Sequence, residues 1–223
     1  MSTRTLVRLA AAAAGVLVLA GCGGIKPGVA VEVDGASLSM RQLDDRSADY
    51  CVITGAGGQD PASGQGAAAT GDARRAVASS FIVARLAERA ARAEDVTVPP
   101  SRSQIAPAQL AAARQALGAD TVARVRGLLD EQARTSALVA ALGAKDTGFD
   151  YAGSTDAQVQ AAEQQLLQAG SAQLQKALGE ADITVDPRIG LDTSSLQPTG
   201  RTGSLSVAVS RLPNNLPAGQ TCS

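Results

Sequence analysis

Large apolar side chains are scarce in this chain. Leu, Ile, Val and Phe together number 48 in 223 residues, and seven of the 48 lie within the first 21. What remains after residue 21 is close to the roughly 20% level below which chains tend toward disorder. Two features pull the other way. The net charge is only −1, so self-repulsion is weak, and 45 alanines favour helix wherever a little apolar surface can be buried. The expected fold is therefore mainly α with a small β element: four to five amphipathic helices around a modest core.

The same composition removes whole classes of chemistry. Lys+Arg 20 against Asp+Glu 21 provides no basic field, so no nucleic acid partner is expected. Histidine is absent, which excludes Ser-His-Asp and Cys-His catalysis, His-ligated metal sites and a histidine pH switch. Gly55-Ala56-Gly57-Gly58 lacks the strand, helix and lysine of a phosphate-binding loop. Paired acids occur at Asp44-Asp45 and at Asp182 and Asp186. Neighbours on a helix point about 100° apart, so Asp44 and Asp45 are poorly placed to share one site. No enzyme activity, cofactor or metal is expected.

Residues 1–22 read MSTRTLVRLAAAAAGVLVLAGC. Arg4 and Arg8 form a positive start, and the apolar run Leu9 to Leu19 is too short for a spanning helix of about 20 residues but fits an export signal. Small residues then lead into Leu19-Ala20-Gly21-Cys22, which resembles the lipobox of bacterial lipoproteins. That resemblance implies a signal peptide over 1–21, a diacylglyceryl group on the Cys22 thiol, and a lipidated tether over 22–28. It also implies a protein held at the extracytoplasmic face of the cell membrane, since two acyl chains bury many CH₂ groups at about 0.8 kcal/mol each.

Export makes Cys51 and Cys222 an even pair in an oxidising compartment. A bond between them would close a loop of about 170 residues, valued at roughly 5 kcal/mol by the chain-entropy model. Two free thiols, or pairing with another protein, are the alternatives. Neither cysteine lies in a CxxC motif.

Along the chain, Val29, Val31 and Val33 alternate before Asp34-Gly35, a strand and tight turn. Ser39 with Gln42 forms a capping box opening a helix that carries Cys51. Residues 54–71 are Gly/Ala/Ser-rich and are expected to be a mobile loop. Helices follow at about 73–94, with Ala78, Ile82, Leu86 and Ala90 at i+4 and Phe81 and Val83 widening the stripe, and at about 107–117. The next spans about 121–142, with Val122, Val125 and Leu129 on one side, Leu128 adding to its apolar surface, and Gly143 expected to close it. The last runs from a Thr155/Gln158 capping box to about 178. Ile183-Thr184-Val185 is strand-like. Ser204–Ser210 alternates again, with Leu205, Val207 and Val209 expected to pair with the N-terminal strand. Residues 211–223 read as tail.

Two stretches carry a wider likeness: Val31-Glu32-Val33-Asp34-Gly35 through Leu43, and Ala181-Asp182-Ile183-Thr184-Val185-Asp186-Pro187-Arg188-Ile189-Gly190. In this order, around several helices, they resemble the chaperone-type N-terminal domain of the SurA/PrsA family of extracytoplasmic foldases, here over residues 29–210. The resemblance implies a module that binds unfolded exported proteins. The family's parvulin isomerase domain has no counterpart. Only about 40 residues separate Gly143 from Ile183, and most read as one helix, so prolyl isomerisation is not expected. The function expected is a membrane-anchored, non-catalytic holdase. The alternative is a scaffold lipoprotein that docks one dedicated envelope partner.

Overall fold

The computed structural model describes residues 26–56, 70–199 and Cys222. The described chain is mainly helical with one small antiparallel sheet, the expected class. Strand β1 (Val29–Val33) turns through Asp34 and Gly35, both at positive φ (48° and 82°), into β2 (Ala36–Ser39). Paired positive φ values are what a two-residue hairpin needs, hence Asp-Gly. Asp34 also works outside the turn. Its Oδ1 accepts from the Asp182 amide at 3.1 Å and its carboxylate pairs with Arg89 at 3.1 Å, while Arg89 donates to the Glu180 carbonyl.

β3 (Ile183–Val185) lies antiparallel on the other edge of β1, giving the order β2-β1-β3. The N-terminal strand thus meets a strand from the far end of the chain. The expected partner, Ser204–Ser210, lies outside the described residues. The strand beside β1 is Ile183–Val185, and with β2 opposite, β1 keeps no free edge.

Helix α1 (Met40–Ala56) opens with the expected capping box: the Ser39 amide donates to Gln42 Oε1 at 2.9 Å and the Gln42 amide to Ser39 Oγ at 3.2 Å. α1 reaches Ala56 and α2 (Thr70–Ala93) begins at Thr70, so both ends of the expected loop 54–71 are helical, and residues 57–69 lie outside the described chain. α2 is the central helix. Its buried residues, among them Val77, Phe81, Ile82, Leu86, Ala87 and Ala91, run around most of its circumference. Alanine on several of those faces lets other helices approach closely, which is how a chain poor in large apolar residues still closes a core.

A 3-10 turn (Pro100–Arg102) leads to α3 (Pro107–Leu117), which buries no residue, then α4 (Ala119–Thr147) and α5 (Asp156–Glu180), the last opened by the Thr155/Gln158 capping box. Gly143 does not close α4. The helix continues to Thr147 and ends at Gly148 with φ 71°. Gly143 is buried where α5 folds back along α4. A Cβ there would sit 2.7 Å from the Gly170 nitrogen and closer still to the Leu166 carbonyl, and one at Gly170 would sit 2.8 Å from the Val139 carbonyl carbon. Two glycines let the backbones touch. The main core joins the sheet (Val31, Val33, Leu38) to α1 (Leu43), α2 (Ile82, Leu86) and α4 (Leu142). No helix among the described residues is long and apolar enough to cross a membrane.

Candidate functional groove

The sequence pattern of α1 puts Arg46, Tyr50, Ile53 and Thr54 on one face, at i, i+4, i+7 and i+8. That face is not fully covered. Between it, the middle of α2 and the middle of α4 lies a groove of about 370 Å³, near the lower end of the roughly 300–1,000 Å³ typical of ligand sites. Val77 and Phe81, 2% and 3% exposed, form its floor. Ile53, Val83 and Leu128 are half-buried along its walls, and Thr54, Ser79, Thr135 and Ser136 bring hydroxyls to it. Two of those hydroxyls are satisfied by their own helices: Thr54 Oγ1 donates to the Tyr50 carbonyl at 3.0 Å and Thr135 Oγ1 to the Glu131 carbonyl at 2.8 Å. Apolar area predominates on the surface offered, beside the hydroxyls of Ser79, Ser80 and Ser136 and the amide of Gln132.

Charge holds the groove's shape. Arg46 on α1 meets Glu131 on α4 at 2.9 Å and 3.1 Å, inside the lining. Arg124 to Asp49 (3.2 Å) repeats the α4–α1 link, Arg74 to Asp44 (2.9 Å) ties α2 to α1, and Arg134 to Glu88 (3.3 Å) ties α4 to α2. Each pair is partly exposed and weak singly. Together they span all three helix pairs around the groove. The Arg85 guanidinium lies 5.1 Å from the Phe81 ring centroid, against the floor residue.

Cys51 follows Tyr50 and stands one turn before Thr54. Its Sγ lies 2.01 Å from Cys222 Sγ, with the Cα atoms 5.0 Å apart, so the structure brings the expected cysteine pair to disulfide distance across 171 residues. The C-terminus is thereby fixed at the helix that forms one wall of the groove. Cys22 lies outside the described residues. Of the expected tether, 26–28 already belong to the domain: Lys26 pairs with Glu32 at 2.8 Å and the Gly28 carbonyl accepts from the Met40 amide.

The acidic pairs do not converge. Asp44 faces Arg74, while Asp45 lies 4.0 Å from Arg41 in solvent. Asp182 and Asp186 flank β3 in backbone contacts, the latter accepting from the Arg188 amide. Among the described residues no group of three or more His, Cys, Asp or Glu could hold a metal ion. The shifted ionisations also lie away from the groove. Hydrogen bonds from Ser194 and Ser195 hold Asp192 down at about 2, Lys145 lowers Glu94, and burial raises Tyr151.

The groove itself was not legible as a site in the sequence. Its signal was faint: Val83 and Leu128 lie beside the main apolar stripes of their helices and so look like surplus surface. No protein-family model, curated protein or solved structure matches the chain.

Proposed function

We propose that this protein is an exported lipoprotein, anchored through a diacylglyceryl group on Cys22, whose helical domain binds apolar segments of unfolded exported proteins without catalysing a reaction. The observation that carries this reading is the groove between α1, α2 and α4. It is lined by Tyr50, Ile53, Val83 and Leu128, floored by Val77 and Phe81, and framed by ion pairs rather than by convergent catalytic groups. A surface on which apolar area predominates favours side chains by area removed from water, at about 25 cal/mol per Å², and discriminates little between sequences. That suits a holdase. The lipobox and the likeness of residues 31–43 and 181–190 to the SurA/PrsA chaperone domain support the same reading.

The test is light scattering of a thermally unfolding reporter enzyme mixed with the chain lacking its first 22 residues, at near-equal molar ratio. Suppression of aggregation by the wild type, lost in Leu128→Asp with helicity retained by circular dichroism, is the expected result. Failure to suppress with several unrelated reporters would remove the holdase reading and leave a scaffold for one dedicated envelope partner.

A further inference from the structure

The charges that line the groove are committed to each other, but several of its neutral polar groups are not. Arg46 and Glu131, the one cation and the one anion of the lining, meet at 2.9 Å, so neither is offered to a ligand. Ser79 and Ser80 of α2 and Gln132 and Ser136 of α4 reach the same groove with side chains that have no hydrogen-bond partner among the described residues. Ser79 is half-buried and the other three are exposed. A hydroxyl and a carboxamide each donate and accept. These groups come from two of the three walls, beside a floor of Val77 and Phe81 that offers apolar area alone.

Water satisfies such groups at an open surface. A purely apolar ligand that displaces it leaves them unpaired, which costs affinity unless the ligand brings polar groups of its own. An extended apolar peptide brings them, because each residue carries a free N–H and C=O while alternate side chains point to one face. A helix does not, since its interior N–H and C=O groups are bonded within it, and with side chains it is about 10–12 Å across. The α2 lining from Val77 to Val83 runs about 9 Å and the α4 lining from Leu128 to Ser136 about 12 Å, at 1.5 Å per residue. That length matches about three or four residues of extended chain at about 3.3 Å each. We propose that the groove holds a neutral, extended segment of about this length, with alternate apolar side chains on Val77 and Phe81 and its main chain bonded by Ser79, Ser80, Gln132 and Ser136. The main chain is the same in every sequence, so these bonds add affinity without choosing among clients. The inference rests on the holdase reading and specifies which form of client the groove takes.

The test uses two fluorescein-labelled heptapeptides with the same alternating valine and threonine side chains. One has ordinary amides; in the other, three central amides are replaced by esters, which removes N–H donors and leaves the side chains unchanged. Each is titrated with the full-length, oxidised chain and binding is read by fluorescence anisotropy. The ester probe should bind at least tenfold more weakly than the amide probe. That ratio should fall to within about twofold when Ser79→Ala, Ser80→Ala, Gln132→Ala and Ser136→Ala are combined, as a thermodynamic cycle requires of groups that meet. Alanine favours helix at all four positions, and circular dichroism checks the fold of the variant. Leu128→Asp should weaken both probes alike. Equal binding of the two probes by the wild type, a tenfold ratio kept by the quadruple variant, or tighter binding of a stapled helical peptide of equal apolar content would overturn main-chain recognition and leave the groove a peptide site. Failure of all three peptides to bind would overturn the holdase reading and this inference with it.

Discussion

The sharpest consequence of this architecture concerns two glycines in one helix. Gly127 and Gly143 both lie inside α4. By helix propensity alone, replacing either with alanine stabilises by up to about 1 kcal/mol. At Gly127 a Cβ meets nothing within 4 Å, so Gly127→Ala should give a gain of about 0.5–1 kcal/mol. At Gly143 the added carbon would lie 2.7 Å from the Gly170 nitrogen and 2.8 Å from the Leu166 carbonyl carbon, with the carbonyl oxygen nearer still. Even attractive C···O contacts sit at about 3.3–3.6 Å. The obstructing atoms are backbone, so no rotamer change relieves the contact, and α4 and α5 must part. Parting them loosens Ala140, Ala144 and Leu166, which pack together beside the crossing. Overpacking costs about 1–3 kcal/mol before such losses, against a propensity gain of about 1 kcal/mol. A net loss of about 2 kcal/mol is expected for Gly143→Ala, a fall in Tm of about 4–8 °C for a chain of this size. Thermal and urea unfolding followed by far-UV circular dichroism on the oxidised protein measures both variants. A Gly143→Ala protein as stable as wild type, shifting in the same direction as Gly127→Ala, would refute the close helix crossing.

Two other predictions follow from the termini of the described chain. Cys222→Ser should lower stability by about 2–5 kcal/mol, because the bond it removes spans 171 residues and constrains the unfolded chain; a denaturation midpoint equal to that of the oxidised wild type would contradict it. Asp192 is held ionised by hydrogen bonds from Ser194, first, and Ser195, so its folded pKa of about 2 lies below the unfolded value of about 3.9. The stabilisation this brings is complete above the unfolded value and lost as pH falls toward 2. A carboxyl NMR titration should show Asp192 charged at pH 3, with the midpoint moving up in Ser194→Ala/Ser195→Ala. An unchanged midpoint in that double variant would disprove the cause.

What the sequence determined by itself was local. The Ser39/Gln42 and Thr155/Gln158 boxes, the Asp34-Gly35 turn, Pro107 opening α3 and the buried stripe Ala78, Ile82, Leu86 and Ala90 all appear where the pattern put them. Each depends on groups within about four residues of one another, so the neighbouring letters hold the whole cause. Tertiary structure decided the rest, because each remaining feature depends on what arrives from far along the chain. Gly143 has the local character of a helix stop, yet it is a contact point, since only the presence of Leu166 and Gly170 tells the two apart. The strand beside β1 is Ile183–Val185. Setting Cys22 aside as the expected lipid site left Cys51 and Cys222 as a pair, but only the fold places Cys222 against the helix that forms one wall of a groove. That groove is assembled from three helices whose residues, from Arg46 to Ser136, span some 90 positions, and no single helix carries enough of it to be read alone.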